Sequence, residues 1–296
     1  MTTRFLSTAR AKGCGLFRSG RRSLRGITTS SPEDGRILEL ERLQGDLKGV
    51  VKLQMNNPKA NALGFSLISE LEEAVGSISQ DDSVRAVVLT SSVPGVFCAG
   101  ANLKERASMS RSEAETFVVR LRSLMSEVAS IPAPTIAAVE GAAFGGGLEL
   151  MLACDIRIVG TKATMGLTET SLGIIPGAGG TQRLPRLIGA SKAKELIFTA
   201  TRVDGARALE MGMVNSVVAD GQVEREALEM AGTIAARGPL AVRAAKLAID
   251  QGLGLADAER GMEIERRMYA RVLGTQDRDE GLAAFKERRP PAFTGK

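Results

Sequence analysis

Two glutamates stand in apolar segments, where a charged side chain is costly. Glu149 lies within LELMLACD, and Glu169 follows 20 residues later within MGLTETSLGIIPGAGG. A buried carboxylate is normally either paired or used in chemistry. If the two lie close together, they titrate as a coupled pair in which one pKa is raised, and they can act as general acid and base.

Glycine-rich turns accompany these carboxylates. Residues 145–147 are all glycine and lie at a predicted strand-to-helix junction, where the first N–H groups of the helix lack intrahelical partners and favour negative charge. Gly100, in FCAGANLKE, is predicted to begin a second such turn. The N–H groups of both turns could bind a phosphate or a developing oxyanion. The alternative is that the glycines only permit tight packing. The dinucleotide pattern G-x-G-x-x-G fails at Leu150 and, in GAGGTQ, at Gln182. The residues alone therefore indicate an enzyme acting on acyl or phosphoryl groups.

The chain contains no histidine. This excludes Ser-His-Asp and Cys-His nucleophile arrangements and HExxH sites, and it removes the commonest metal ligand. The three cysteines show no CxxC spacing, so neither a disulfide framework nor a metal site is expected, and Cys98 and Cys154 are predicted to be core residues. Acid–base chemistry is left to carboxylates, Lys, Cys or the single Tyr269.

Alternating strands and helices must position these groups. GVVKLQMNNP, RAVVLTSS, PTIAAVEG and IRIVG read as strands, whereas NALGFSLISELEEAVGSI, residues 111–130 and LELMLACD read as helices. PGVFCAGANLKE is expected to be a loop. This order predicts an α/β core built on parallel strands. Beyond about residue 190 strand-like runs become scarce, and the C-terminal third is predicted to be mainly helical.

The net charge of +5 is concentrated at one end of the chain. Residues 1–32 carry seven Lys and Arg and no acidic residue, and removing these seven charges leaves −2 for the remainder. Together with many Ser and Thr, this composition is typical of an organellar transit peptide, mitochondrial rather than plastid, with a disordered basic arm as the alternative. No window offers the roughly 20 apolar residues of a membrane span, so no membrane partner is expected.

Five segments, in this order, resemble the enoyl-CoA hydratase/isomerase (crotonase) family: VFCAGANLKE, IAAVEGAAFGGGLELMLACDIRI, GLTETSLGIIPGAGGTQRLPRLIG, KELIFT and DRDEGLAAFKERRPPAFTGK. The resemblance runs from about residue 36 to the end and is strongest to mitochondrial hydratases of the methylglutaconyl-CoA hydratase type. It implies an α/β fold with a spiral core of repeated ββα units at 33–228, after the transit peptide at 1–32. It also implies a helical trimerisation region at 229–296 and a homo-hexamer built as a dimer of trimers.

The resemblance also implies roles for individual residues. The backbone N–H groups of Ala101 and Gly146 would form an oxyanion hole for the thioester carbonyl. Glu149 would activate the attacking water, Glu169 would deliver the α-proton, and Gly177 would help to hold the water.

The nucleotide of CoA would be contacted by Lys104 and, from a neighbouring subunit, by Phe285 and Arg288. For each of these three residues, an ordinary surface charge or core aromatic is an equally good interpretation.

The implied reaction is reversible hydration of a 2-enoyl-CoA to a 3-hydroxyacyl-CoA in the mitochondrial matrix. It would belong to fatty-acid β-oxidation or branched-chain amino-acid degradation, and it needs no cofactor because CoA is part of the acyl-CoA substrate. Two positions depart from the family pattern. Asn102 replaces a usual Asp, and Thr168 replaces a usual Pro, which affects rate and substrate preference more than reaction class.

Other functions stay open at this point. An enoyl-CoA isomerase or an acyl-CoA hydrolase could use the same fold, although paired glutamates favour hydration, and a noncatalytic relative could retain the fold alone. An RNA-binding relative would need a lysine-lined helix. The corresponding segment, NALGFSLISELEEAVGSISQDD, contains no lysine and several acids, so no nucleic-acid partner is expected.

Overall fold

The computed structural model describes residues 36–255 and 257–296. The transit peptide expected at 1–32 lies outside the described residues. Within them, no helix combines the length and the apolar character that crossing a membrane requires.

The strands of the described chain form two sheets. They are β1 (Leu38–Arg42), β2 (Val50–Met55), β3 (Ala86–Ser91), β4 (Val96–Cys98), β5 (Thr135–Val139), β6 (Ala142–Phe144), β7 (Ile156–Gly160), β8 (Thr164–Gly166), β9 (Val203–Asp204) and β10 (Ser216–Val218). The larger sheet has the order β1-β2-β3-β5-β7-β10, and the smaller has the order β4-β6-β8-β9. Only the pairs β1–β2 and β8–β9 are antiparallel, so the predicted α/β core on parallel strands is confirmed.

Helices connect and cover these sheets. They are α1 (Phe65–Ser79), α2 (Leu103–Ser108), α3 (Arg111–Ser130), α4 (Gly146–Ala153), α5 (Gly180–Ile188), α6 (Ala190–Thr199), α7 (Gly205–Met211), α8 (Val223–Ala235), α9 (Pro239–Leu253), α10 (Ala258–Leu273) and α11 (Gln276–Glu287). Single 3₁₀ turns occur at Gly45–Leu47 and Glu169–Leu172.

The core winds as a spiral that contributes one strand to each sheet per turn. The strands β3, β5 and β7 lie in the larger sheet, and β4, β6 and β8, which follow them directly, lie in the smaller sheet. Helices then return the chain: α2 and α3 after β4, α4 after β6, and α5 and α6 after β8. The expected crotonase-type repeat of ββα units is thereby confirmed.

The central strands of the larger sheet are buried on both faces. In β3, Val87 and Leu89 pack into the main core, whereas Ala86 and Val88 pack in a second cluster with α8. Side chains alternate between the two faces of a strand, so a strand covered on both sides must be apolar throughout, as RAVVLTSS is. The expected boundary after residue 228 falls inside α8, which packs on the sheet along its whole length.

The C-terminal region is helical, as predicted. Helices α9 and α10 pack against each other around Ala244, Ile264 and Met268. The end of the chain folds back onto α11, where the carboxylate of Asp277 accepts hydrogen bonds from the N–H groups of Thr294 and Gly295. Large apolar side chains on these helices remain exposed in the single chain: Leu253, Met262, Tyr269, Leu282 and Phe285.

The short strands were not predicted from sequence. The segment expected to be a loop, PGVFCAGANLKE, contains β4 and the first turn of α2, and β1, β6, β8, β9 and β10 were also missed. Of these strands β1 has five residues, whereas the others have two or three, which are too few to show an alternating pattern. Hydrogen bonds to a neighbouring strand, which are nonlocal, determine them instead.

Candidate active site

The first oxyanion turn joins β6 to α4. Gly145 precedes the helix with φ +50°, and Gly146 is the first helical residue, so its N–H has no intrahelical partner. Within the described residues this N–H donates no hydrogen bond to the protein. It is therefore free to bind a negatively charged oxygen.

The second turn follows β4 and approaches the first closely. The N–H of Leu63 donates to the carbonyl of Gly100 (2.8 Å), and the N–H of Asn102 donates to the carbonyl of Leu63 (3.1 Å), which fixes Ala101 between them. Gly100 has φ +93°, and a methyl group there would lie 3.2 Å from the nitrogen of Gly146. The glycine thus lets the two turns approach, and it brings the N–H groups of Ala101 and Gly146 together.

Asn102 stabilises the second turn. Its Oδ1 accepts from the N–H groups of Lys104 (3.2 Å) and Glu105 (3.4 Å), so it caps the N-terminus of α2. Its Nδ2 donates to Glu105 Oε1 (2.7 Å), and Glu105 Oε2 accepts from the N–H of Phe65 at the start of α1 (3.0 Å). An aspartate could cap the helix but could not donate to Glu105, so the amide of Asn102 connects α2, through Glu105, to the start of α1.

Glu149 lies in the first turn of α4 and is only 2% exposed. Its Oε1 accepts hydrogen bonds from the N–H groups of Ala178 and Gly180, both at 2.8 Å. Burial raises its pKa, whereas these two hydrogen bonds and the positive charges of Arg183 and Arg122 act to lower it. The carboxylate form is therefore the form that the surrounding hydrogen bonds support.

Glu169 opens the 3₁₀ turn that follows β8. A methyl group at Gly145 would lie 3.2 Å from its Oε1, which puts this carboxyl beside the first oxyanion turn. Its Oε2 is buried without a hydrogen-bond partner among the described residues. Burial, together with the charge of Glu149, raises the pKa of Glu169 to about 7. The two carboxyls thus interact, and their unequal hydrogen bonding favours the proton on Glu169.

The loop that holds Glu149 is braced by arginines that sequence reasoning missed. Arg183 donates to the carbonyl oxygens of Ala178 (3.0 Å) and Met125 (3.1 Å), and Arg122 donates to that of Gly177 (3.0 Å). Gly177 lies next to Ala178, which binds Glu149. No sequence signal marks these arginines, because a basic residue on an amphipathic helix usually indicates a solvated surface.

The two cysteines of the described chain are not ionised near neutral pH. Cys98 and Cys154 are buried, which confirms their prediction as core residues, and burial raises the pKa of both thiols to about 12. Tyr269 lies exposed on α10. The described residues also contain no cluster of three or more side chains able to hold a metal ion. Glu149 and Glu169 are therefore the candidate acid–base groups of this site.

The three expected CoA contacts are all at the surface of the chain. Lys104 lies exposed in the first turn of α2, next to the second oxyanion turn. Phe285 on α11 is 86% exposed, and Arg288 follows at the C-terminal cap of that helix. The single chain leaves all three accessible to a ligand or to another subunit.

Titration of Glu169 should make stability depend on pH. Its folded pKa of about 7 lies above the 4.5 of an unperturbed glutamate, so the folded chain binds more protons between these values and loses stability as pH rises. After allowance for solvent screening of this partly buried group, the loss between pH 5 and pH 8 is about 2 kcal/mol. We expect Glu169→Gln to lack this loss in urea unfolding at fixed protein concentration, whereas Glu127→Gln, an exposed change on α3, should follow the parent. Parallel curves for parent and Glu169→Gln would contradict the raised pKa.

Comparisons with known proteins show the family of the chain. The profile of the family described as enoyl-CoA hydratase/isomerase matches residues 46–296. The mouse enoyl-CoA hydratase domain-containing protein 2, mitochondrial, is 52% identical over 274 residues, which cover 91% of each chain. The mouse methylglutaconyl-CoA hydratase, mitochondrial, is 49% identical over 263 residues, which cover 87% of this chain and 83% of that protein.

A solved structure shares the fold. The crystal structure of an enoyl-CoA hydratase from Bacillus anthracis superposes with a TM-score of 0.85 at 45% sequence identity. The match covers 88% of this chain and all of that one.

Proposed function

Because the chain belongs to the enoyl-CoA hydratase/isomerase family, we propose that it is an enoyl-CoA hydratase. It adds water reversibly across the 2,3 double bond of a 2-enoyl-CoA thioester and yields a 3-hydroxyacyl-CoA. The observation that carries this proposal is the pair of carboxyls, buried Glu149 and partly buried Glu169, which differ in hydrogen bonding and lie beside the N–H groups of the two oxyanion turns.

The N–H groups of Ala101 and Gly146 bind the thioester carbonyl oxygen. When water attacks carbon 3, electrons move from the double bond toward this oxygen, and the resulting enolate carries negative charge there. Donors already in place stabilise that charge without reorganising during the reaction. The glycines in the two turns are needed because side chains would keep these donors apart.

The two glutamates divide the proton transfers. Glu149, whose ionised form accepts two backbone hydrogen bonds, takes a proton from the water as the water oxygen bonds to carbon 3. Glu169, whose raised pKa favours the protonated form at neutral pH, gives its proton to carbon 2. Transfer of a proton from Glu149 back to Glu169 through solvent restores the starting state. Gly177, next to the loop that holds Glu149, helps to position the water.

The substrate's CoA is held at the surface by Lys104 and, across a subunit contact, by Phe285 and Arg288, and no separate cofactor takes part. The exposed apolar side chains of the C-terminal helices support a homo-oligomer, for which we propose a hexamer of two trimers. The relatives' names and the basic N-terminal composition support import into the mitochondrial matrix. There the reaction would serve fatty-acid or branched-chain amino-acid breakdown.

The hydratase function can be tested on residues 33–296 with crotonyl-CoA and other 2-enoyl-CoA thioesters. We expect loss of the conjugated absorbance and formation of the 3-hydroxyacyl-CoA, with kcat/KM falling above about pH 7 as Glu169 loses its proton. Release of free CoA would indicate a hydrolase, and conversion of 3-enoyl-CoA without hydration would indicate an isomerase. A folded protein that hydrates none of the thioesters would refute the hydratase function.

A further inference from the structure

A closed ring of hydrogen bonds holds the turn that carries Ala101. One side of the ring is backbone: Leu63 and Ala101 form an isolated β-bridge, and the N–H of Asn102 donates to the carbonyl of Leu63 at 3.1 Å. The other side is made by side chains. Asn102 Nδ2 donates to Glu105 Oε1 at 2.7 Å, and Glu105 Oε2 accepts from the N–H of Phe65 at 3.0 Å. The ring therefore begins and ends at the residue that directly follows Ala101.

The side chain of Asn102 meets donors on one side and an acceptor on the other. Its Oδ1 accepts from the N–H groups of Lys104 and Glu105, whereas its Nδ2 donates to the Glu105 carboxylate. A carboxamide has both an acceptor and a donor, but an ionised carboxylate can only accept. An aspartate at position 102 would therefore put a second negative charge in contact with Glu105. The ring needs an amide at one of its two side-chain positions and a carboxylate at the other.

Hydrogen bonds matter here because α2 has little apolar packing of its own. The helix has six residues, none of them buried, and its Leu103 is 59% exposed. Arg106 of α2 lies over the ring of Phe117, 5.7 Å from its centroid. Helix α1, in contrast, is fixed in the core by side chains such as Leu67 and Ile68. The ring thus ties an exposed helix, and the turn before it, to a helix that the core holds in place.

Gly64 leaves room for the carboxylate that closes the ring. It is the N-cap residue of α1, and it has no side chain to cap that helix. A methyl group at Gly64 would overlap Glu105 Oε1 and would lie 2.9 Å from its Oε2. The φ of Gly64 is −101°, which any residue can adopt, so only the Glu105 side chain stands in the way of a methyl group. Glu105 of α2 therefore caps α1 from outside that helix.

We propose, on the basis of the hydratase function above, that Asn102 and Glu105 are positioning residues for the oxyanion donor at Ala101. Their amide–carboxylate pair fixes the turn, and thereby the direction of the N–H that binds the thioester oxygen. Neither side chain touches the reacting atoms, and both act through Ala101. A donor that is already fixed stabilises the enolate better than one that must reorient. Asparagine at position 102 is therefore a requirement of this chain for as long as residue 105 is a glutamate.

The first test exchanges the two groups. Asn102→Asp should lower kcat for crotonyl-CoA by about 10-fold with a smaller change in KM, because a displaced donor costs the enolate more than the bound substrate. The double variant Asn102→Asp/Glu105→Gln keeps the net charge and restores an amide beside a carboxylate. Its amide can donate to position 102 while its oxygen accepts from the N–H of Phe65, so most of the lost kcat should return. An unchanged kcat in Asn102→Asp, or a double variant as slow as Asn102→Asp, would overturn the proposal.

A second variant tests the ring without changing any charge. Gly64→Ala should displace the Glu105 carboxylate and lower kcat by about fivefold, because α2 and the Ala101 turn lose their tie to α1. Gly76→Ala, on the exposed side of the same helix, is the matched control, since a methyl group there meets no atom within 4 Å. Equal kcat values for these two alanine variants would contradict the proposal, and this comparison does not depend on the folding of Asn102→Asp.

A spectroscopic measurement separates positioning from hydration. The thioester 4-dimethylaminocinnamoyl-CoA is a chromophore whose absorbance moves to longer wavelength when its carbonyl oxygen accepts hydrogen bonds. This red shift should be largest in the parent, smaller in Asn102→Asp and Gly64→Ala, and restored in the double variant. That order supports the positioning role even if no thioester is hydrated. A red shift that is equal in all variants, or absent from the parent, refutes the positioning role even if hydration is fast.

Discussion

Glu149→Gln and Glu169→Gln should each lower kcat for hydration of crotonyl-CoA by about 10³-fold, since general acid–base groups typically contribute 10²- to 10⁴-fold. Glu149→Gln removes the base that accepts the water proton, and Glu169→Gln removes the acid that protonates carbon 2. Neither change alters the size of the side chain. KM should change little, because the thioester is held by backbone N–H groups that both variants retain.

The fold should survive both substitutions. A glutamine at 149 keeps an Oε1 that can accept the hydrogen bonds of Ala178 and Gly180, so the loop stays in place. Circular dichroism and size-exclusion chromatography should match the parent, and Glu127→Gln, on the exposed face of α3, provides the matched control for loss of a carboxylate. Full activity in either Glu149→Gln or Glu169→Gln would exclude the two-carboxylate mechanism. Loss of hydration in Glu149→Gln alone would leave Glu169 outside the chemistry.

Gly100→Ala should lower kcat/KM by about 10²-fold, because it separates the two oxyanion donors. The new methyl group would lie 2.7 Å from the carbonyl oxygen of Phe144 and 3.2 Å from the nitrogen of Gly146. Both neighbours are backbone atoms, so the turn carrying Ala101 must move away. An oxyanion hole depends on donor positions at the level of tenths of an ångström, and this displacement should weaken stabilisation of the enolate.

Gly95→Ala is the control for the backbone conformation. Gly95 also has a left-handed φ, +71°, but a methyl group there would meet no atom within 4 Å. Both variants should lose about 1–2 kcal/mol of stability from the left-handed alanine, whereas only Gly100→Ala should lose activity in folded protein. Similar kcat/KM values for the two variants, measured on the same enoyl-CoA, would argue against an oxyanion hole at Ala101 and Gly146.

Much of the fold follows from local patterns. The sequence predicts the longer elements, because each is long enough to show the spacing of apolar residues that is typical of its type. These elements are the strands β3, β5 and β7 and the helices α1 and α3. The short strands of the smaller sheet were not readable, since two or three residues carry no period. The packing of α8 on the larger sheet cannot be read from local patterns, because the residues that join it to β3 lie far apart in the chain.

For the candidate site, the sequence by itself determined which chemical groups are present. The absence of histidine leaves proton transfer to other side chains. Glutamates among apolar residues indicate carboxyls with shifted pKa values, and the pKa values of Glu149 and Glu169 are both raised. Glycines at strand ends indicate backbone donors. These conclusions need only residue type and local environment, which the sequence contains.

Only the tertiary structure decided how these groups are divided between roles. Ala101 and Gly146 come together because two turns of the spiral place β4 beside β6. Glu149 receives its hydrogen bonds from residues 29 and 31 positions later, whereas Glu169 keeps a buried oxygen without a partner. The hydrogen bond from Arg122 to the carbonyl oxygen of Gly177 likewise joins residues that are far apart in the chain. Hydrogen-bond direction and local desolvation depend on distance in space, so the order of residues in the chain does not contain them.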